Sequence, residues 1–208
     1  DGQNVFGKPN GLQGTKLAVE TLFITVLGKH YDDAVEAVET AGVEVEGVMA
    51  SPLAASFVTL SKAQKTAGAI LVNIGAETLS TIVFDNDVPV SVKVFSAGSS
   101  DVTNAIALSF RIPLGEAEQM KRGAVTGSGI TPQRINVTVT TRLRDMFSLI
   151  NVHLKAIGRQ RLLPAGIVLT GGGSSLALAA EVAKATLKLP AQVAQIGFLP
   201  RSSGIDAT

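Results

Sequence analysis

The chain has 208 residues, 46% of them hydrophobic, with 18 basic and 17 acidic side chains and a formal net charge of +1. That is enough apolar material for one or two globular domains with a real core, and too balanced a charge for a role on nucleic acid or a membrane surface driven by electrostatics. The absence of cysteine excludes disulfides and thiolate metal sites and fits a reducing compartment. No apolar run approaches ~20 residues, so no membrane span is predicted, and the N-terminus shows no signal-peptide pattern. His30 and His153 stand far apart without carboxylates at ligand spacing, so both are expected at the surface rather than on a metal. Trp is absent and Tyr occurs once, leaving little aromatic surface to stack on bases. The chain opens on Asp1 rather than Met, which reads as a fragment of a longer protein.

Residues 1–14 are rich in Gly, Asn and Pro and read as loops around short extended pieces. A strand is expected over residues 16–27, a helix over 31–41 and another strand over 43–49. In that helix Ala34, Val35, Val38 and Ala41 fall at 3.6-residue spacing, Asp32 and Asp33 suit the N-terminus, and Gly42 is a natural stop. The acidic face of Asp33, Glu36 and Glu39 is either a solvated surface or a partner-binding face. Ser51 is the expected N-cap of a helix running to about residue 65, with Pro52 in the first turn, where its missing N–H costs nothing.

Residues 69–72 form an apolar, β-branched run suited to a sheet covered on both faces. Asn73, Gly75 and Ala76 allow a sharp turn, and Leu79, Ile82, Val83 and Phe84 resume a strand. Asp85-Asn86-Asp87 turn again into an alternating strand over residues 88–95. Amides and hydroxyls at a Gly-containing hairpin tip can cradle phosphate, although most such hairpins only turn the chain. The polar loop 96–101 caps a helix with Val102, Ile106 and Phe110 on its apolar face, and could hold an anion or simply cap the helix. A short helix is expected over 114–122, where Glu118 and Lys121 share a face and could pair with each other or with ligand hydroxyls. Beyond a loop over 123–132, a short strand is expected over 135–139 and an amphipathic helix over 141–157, carrying Leu143, Met146, Phe147, Ile150 and Leu154 on one side. Residues 165–170 form a second fully apolar strand that enters Gly171-Gly172-Gly173-Ser174-Ser175 and then a helix over 176–189. Three consecutive glycines are costly in chain entropy and suggest that something flat or bulky approaches the backbone there. The run lacks both the Rossmann glycine spacing and a Walker A lysine.

Two glycine signals about a hundred residues apart, one on a hairpin and one at a strand–helix junction, resemble the nucleotide clasp of the actin/Hsp70/sugar-kinase superfold. Within it the chain is similar to the FtsA family of bacterial cell-division proteins over nearly all its residues. SPLAAS (51–56) is similar to the helix linking that family's large domains. LVNIGAETLSTIVF (71–84) resembles the phosphate-2 hairpin, and SAGSSDVTNAIA (96–107) the loop–helix beneath the nucleotide. EAEQMKRG (116–123) resembles the segment that holds the ribose, and AGIVLTGGGSSL (165–176), the most specific of the five, the adenosine motif.

The resemblance implies an α/β fold: an actin-like (ribonuclease H-like) ATPase domain with a small 1C-type α+β domain at the N-terminal end. Residues 1–50 would be part of domain 1C and 51–66 the linking helix of subdomain 1A. Residues 67–208 would be domain 2, with 2A at about 67–113 and 165–208 and 2B at about 114–164. ATP, with Mg²⁺ bound through the nucleotide, would be held by Asn73, Gly75, Ala76, Thr78, Gly98, Ser99, Glu118, Lys121, Gly171, Gly172, Gly173 and Ser174. No catalytic residue and no direct metal ligand is implied. The family polymerises into filaments, tethers FtsZ to the inner face of the cell membrane at the division site, and recruits later division proteins through domain 1C. Its 2B region binds the acidic, apolar C-terminal tail of FtsZ, which would meet Arg142 and Arg144 here.

Several departures stand out. The family's phosphate-1 hairpin and its membrane-attaching C-terminal helix have no counterpart in these residues, and the stretch between Arg122 and Arg142 is short for the family. Asn73 stands where the superfold often has Asp, and Glu77 where many relatives have Gly, which sets a negative side chain near the expected phosphates. These departures imply ATP binding with at most weak hydrolysis. The pilus-assembly scaffold PilM shares the 1C-type insertion and the glycine motifs. A small-molecule kinase or chaperone ATPase is the remaining reading, but a kinase needs a catalytic base near the phosphates and the sequence offers none.

Overall fold

The computed structural model describes residues 11, 16, 18–19, 21–124, 129–176 and 178–195. One five-stranded sheet carries the molecule, in the order β3-β2-β1-β4-β5. Strands β1 (Ala69–Ile74), β2 (Leu79–Asp85) and β3 (Val88–Phe95) form an antiparallel meander, whereas β4 (Gly166–Thr170) and then β5 (Ala191–Val193) add in parallel on the other side of β1. The β2–β3 turn places Asn86 and Asp87 at φ of 52° and 65°, the left-handed region that a two-residue hairpin turn requires and that Asn and Asp tolerate.

Both faces of the sheet are covered. Helices α4 (Ser99–Phe110), α5 (Leu114–Lys121), α6 (Pro132–Ala156) and α7 (Ala179–Leu187) bury one face in a core around Ile70, Val72, Leu79, Val83, Ile167 and Leu169. On the other face, α2 (Ser51–Thr59) and α3 (Lys62–Ala67) accompany a smaller cluster of Leu60, Ala69, Leu71, Ile82, Phe84 and Val168. Burial on both sides explains why β1 and β4 are almost wholly apolar. Among the described residues, the buried side chains of α5 and α6 belong to the same core as those of the strands.

Several expectations need correction. The strand expected over 135–139 is the opening of α6. Pro132 starts the helix, and Ile135, Val139, Leu143, Met146, Phe147, Ile150 and Leu154 are buried along one stripe. The 3.6-residue period decides against the local β-propensity of INVTVT. The helix expected from Ser51 to about 65 is broken at Leu60. Ser61 accepts a bond from Gln64 N–H and Gln64 accepts one from Ser61 N–H, a reciprocal cap that starts α3 anew. Ser51 is the first residue of α2 rather than its cap; Ala50 holds the cap position, without a side-chain capping bond.

At the N-terminal end the expected helix is present as α1 (Gly28–Thr40), but no strand forms among the described residues of 16–27 or in 43–49. Phe23, Ile24, Val26 and Leu27 are exposed, α1 buries no residue, and an isolated strand without partners or a packed face does not persist. Of the loops expected over residues 1–14, all but Gly11 lie outside the described residues. Among the described residues no helix is long and apolar enough to cross a membrane.

The sheet edge is tied to the helix layer by a polar contact. His153 of α6 has Nε2 2.9 Å from Ser91 Oγ of β3 and meets the Phe95 ring edge-on. Burial, and secondarily the nearby Lys93 charge, keep this imidazole below its ordinary pKa, so it is half-buried and neutral rather than at the surface.

Candidate functional site

The two glycine segments meet at the end of β1. Strands β1 and β4 run parallel, with Asn73 opposite Thr170, so the β1–β2 turn and the glycine run leave the sheet side by side. Gly171 has φ +83°, and a Cβ there would fall 2.2 Å from Asn73 Oδ1 and 2.7 Å from the Ile74 carbonyl oxygen. Only glycine fits both the conformation and the space. Gly173 is packed against Ile74, where a Cβ would come within 2.4 Å of Cγ2. Gly172 differs: it is exposed, and a Cβ would meet nothing within 4 Å. The glycine run is a short 3₁₀ turn, Gly172–Ser175, and the Ser174 hydroxyl donates back to the Gly171 carbonyl at 2.7 Å.

The hairpin turn is fixed from within and from below. Gly75 N–H donates to Thr78 O at 2.9 Å, closing the turn and leaving Ala76, Glu77 and Thr78 exposed. The first turn of α4 docks beneath it: Ser99 N–H donates to Gly75 O and Ser100 N–H to Ala76 O, both at 2.9 Å. Gly98 makes the docking possible, because a Cβ there would sit 2.1 Å from the Ala76 carbonyl oxygen. Its N–H donates to the Asp101 carboxylate at 2.9 Å, which caps α4. The leading donors of α4 are thus consumed by the turn rather than presented to solvent.

Next to α4, α5 contributes a charged cluster. Glu118 Oε2 accepts from Thr103 Oγ1 and from Lys121 Nζ, both at 2.6 Å, and Oε1 accepts from Arg122 Nε at 2.9 Å. Lys121 Nζ also donates to Thr103 Oγ1 at 2.9 Å and to Ser99 O at 3.3 Å. Partial burial pushes the Glu118 carboxyl up, but the bonds from Lys121, Thr103 and Arg122 outweigh it and bring the pKa from 4.5 down to about 2. The carboxylate is ionised at neutral pH. The stability it contributes is complete above pH 4.5 and is lost as pH falls towards 2.

The structure therefore gathers the hairpin turn, the start of α4, Glu118 and Lys121, and the glycine run around one end of the sheet. Thr103 and Arg122 were missed by sequence reasoning, whereas Asp101 was placed in the loop that caps α4. Thr103 lies within the SAGSSDVTNAIA motif but carries no spacing signal of its own. Arg142 and Arg144 are elsewhere, on the exposed surface of α6. Two residues apart on a helix they point about 200° from one another. Arg142 pairs with Asp145 at 3.4 Å and lines a groove of about 240 Å³ between α4 and α6, with Leu108, Met146 and Leu149. Among the described residues no group of three or more His, Cys, Asp or Glu side chains could hold a metal ion.

Residues 70–204 match the family described as Cell division protein FtsA. The chain belongs to the FtsA family. Curated relatives agree: the FtsA of Pseudomonas aeruginosa is 27% identical over 93% of the chain, that of Bacillus subtilis 26% over 96%, and that of Escherichia coli K12 26% over 85%. The chain spans about half the length of these relatives, between 49% and 51%. Among solved structures, a PilM–PilN type IV pilus biogenesis complex is similar with a TM-score of 0.66 and 27% identity, covering 80% of this chain and 47% of that one. MreB5 of Spiroplasma citri bound to ADP has a TM-score of 0.68 at 14% identity, covering 82% of this chain and 61% of its own, a likeness of fold. The architecture is actin-like.

Proposed function

We propose that this protein is an actin-like cell-division scaffold that binds ATP at the end of β1, polymerises, and tethers FtsZ at the inner face of the cell membrane. Later division proteins would be recruited through the N-terminal 1C-type piece. The observation that carries the nucleotide reading is Gly172. Its neighbours Gly171 and Gly173 are glycine because the protein's own backbone and Ile74 crowd them, but Gly172 faces open space. Among the described residues nothing crowds a side chain there, so the position is open to the approach of a ligand. The similarity to an ADP-bound MreB supports the same reading. Backbone at Ala76–Thr78 would face the phosphates and Glu118 would accept from a ribose hydroxyl. Mg²⁺ would arrive with the phosphates, since Asn73 offers an amide where a carboxylate could have organised it. The nucleotide then serves as an assembly ligand, which requires only different affinities for two protein states.

Replacing Gly172 by leucine tests this. The side chain enters open space, so the melting temperature is expected to stay within about 2 °C of the parent, a surface-substitution effect. ATP affinity, measured by calorimetric titration, is expected to fall at least about tenfold. A stable variant that binds ATP as well as the parent does would remove the nucleotide from this position.

For FtsZ, the groove beside Arg142 offers apolar lining from Leu108, Met146 and Leu149 with one cation, Arg142, beside the Asp101 and Asp145 carboxylates. Titration with a labelled FtsZ C-terminal tail peptide is expected to show weakening of about tenfold in Arg142→Glu and less than about twofold in Arg144→Glu, which points away from the groove. Equal losses in both, or none in either, would place the tail elsewhere. No binding at all by folded protein would favour the pilus-scaffold reading, which the likeness to the PilM–PilN complex keeps open.

A further inference from the structure

We propose that His153 is a pH-sensitive latch: when neutral it fastens the edge strand β3 to α6, and when protonated it releases the strand and loosens one wall of the neighbouring groove. The first part stands on the contacts of β3 alone, and the second rests on the groove as the site of the FtsZ tail.

Strand β3 lies at the edge of the sheet and is hydrogen-bonded only to β2. That ladder is interrupted near its start. Ser91 is opposite Val83 and Pro89 opposite Phe84, so Val90 is an extra residue without a partner, a bulge that disrupts the local pairing. Pro89 has no N–H to give. The ladder is therefore weakest beside Ser91, and Ser91 is where His153 reaches the strand, with Nε2 2.9 Å from Oγ. Ser91 is buried, and the imidazole also meets the Phe95 ring at a centroid distance of 6.1 Å. One side chain of α6 thus holds β3 at two points.

Protonation changes what the imidazole can do. The neutral ring has one donor and one acceptor nitrogen and can accept the Ser91 hydroxyl, whereas the cation has donors only. It also sets a charge in a half-buried place. Burial, and secondarily Lys93, hold the imidazole below its ordinary pKa of 6.5. Lys93 stands on β3 itself, between Ser91 and Phe95. Of the other charged groups on the elements around it, Asp85 at the end of β2 is paired with Arg159 at 3.0 Å and Lys155 lies on α6. Asp101 of α4 and Asp145 of α6 line the groove. No carboxylate among the described residues contributes to the titration of His153. The folded protein therefore binds this proton more weakly than the unfolded chain does. The tie is complete above pH 6.5 and is lost as the pH falls below that value.

The groove shares these contacts. Ala97, just beyond Phe95, and Leu149, one helical turn before His153, both line it. Loosening β3 against α6 moves one of these lining residues relative to the other.

Amide hydrogen exchange of residues 90–95 tests the latch. After correction for the intrinsic rate, opening in the parent is expected to be at least about threefold more frequent at about pH 5.5 than at about pH 7.5. In His153→Gln the same change of pH is expected to alter it by less than about 1.5-fold. Exchange that responds to pH alike in both proteins, or in neither, overturns the proposal. Proton NMR of the parent keeps the test open if His153→Gln fails to fold: the His153 imidazole is expected to titrate below 6.5, and a value at or above 6.5 overturns the latch. The labelled FtsZ tail peptide then tests the groove. Its affinity for the parent is expected to fall about threefold between about pH 7.5 and about pH 5.5, and to fall less in His153→Gln. Equal losses in the two proteins overturn the link to the groove. Should the parent bind no peptide, the groove reading falls, and exchange and NMR decide the latch on their own.

Discussion

Gly98→Ala is expected to destabilise the protein by about 3 kcal/mol or more, an unusually large effect for the addition of one methyl group. The backbone at Gly98 is extended, with φ −162°, so alanine suffers no conformational penalty. In open space the substitution would even stabilise, by reducing the freedom of the unfolded chain. The sign is decided by contact. The new Cβ would lie 2.1 Å from the Ala76 carbonyl oxygen and 2.8 Å from Glu77 N, both backbone atoms that cannot rotate away. Relief requires the start of α4 to withdraw from the hairpin, which breaks the bonds from Ser99 and Ser100 to Gly75 and Ala76. Each such bond is worth about 1 kcal/mol, in addition to the overpacking itself. Urea denaturation against the parent measures the loss. A neutral or stabilising Gly98→Ala would show that the hairpin does not rest on α4.

Phe147→Ala is expected to cost about 3–5 kcal/mol, the usual range for emptying a large aromatic site in a core. Phe147 is fully buried in the cluster that α6 shares with β1, β2 and β4. Val152 on the same helix is 70% exposed, and Val152→Ala is expected to change stability by less than about 0.5 kcal/mol. The contrast tests a structural claim as well as an energy. If residues 114–164 folded as a body apart from the sheet, Phe147→Ala would melt that body alone and give two transitions. One cooperative transition, shifted as a whole, is expected because the core is continuous.

The central sheet was legible because its signals are local. Continuous apolar runs mark β1 and β4, alternation marks β3, and Asp85-Asn86-Asp87 marks the turn between β2 and β3. The glycine run was legible as a place of close approach, which Gly171 and Gly173 make to Asn73 and Ile74. What was not legible depended on contacts distant in sequence. Val137 and Val139 favour a strand by propensity, and only the stripe continuing to Leu154, buried by the sheet, makes that stretch helical. Strand β5 has three residues and borrows its order from β4. Residues 43–49 have the composition of a strand but find no partner among the described residues. At Lys121 the sequence supplied one neighbour, Glu118, but not Ser99 and Thr103, which its ammonium also reaches on another helix.

The parallel pairing of β1 with β4 has a consequence for how the protein comes into being. The hairpin and α4 are neighbours in the chain and can form as soon as residues 69–110 exist. The glycine run that joins the hairpin turn comes roughly a hundred residues after Asn73, and uniting the two requires closing that whole loop against its chain entropy. During synthesis the first half of the site must therefore wait, with one edge of β1 unpaired, until β4 has left the ribosome. The site is a late product of folding, and any ligand that needs both halves recognises only a finished molecule.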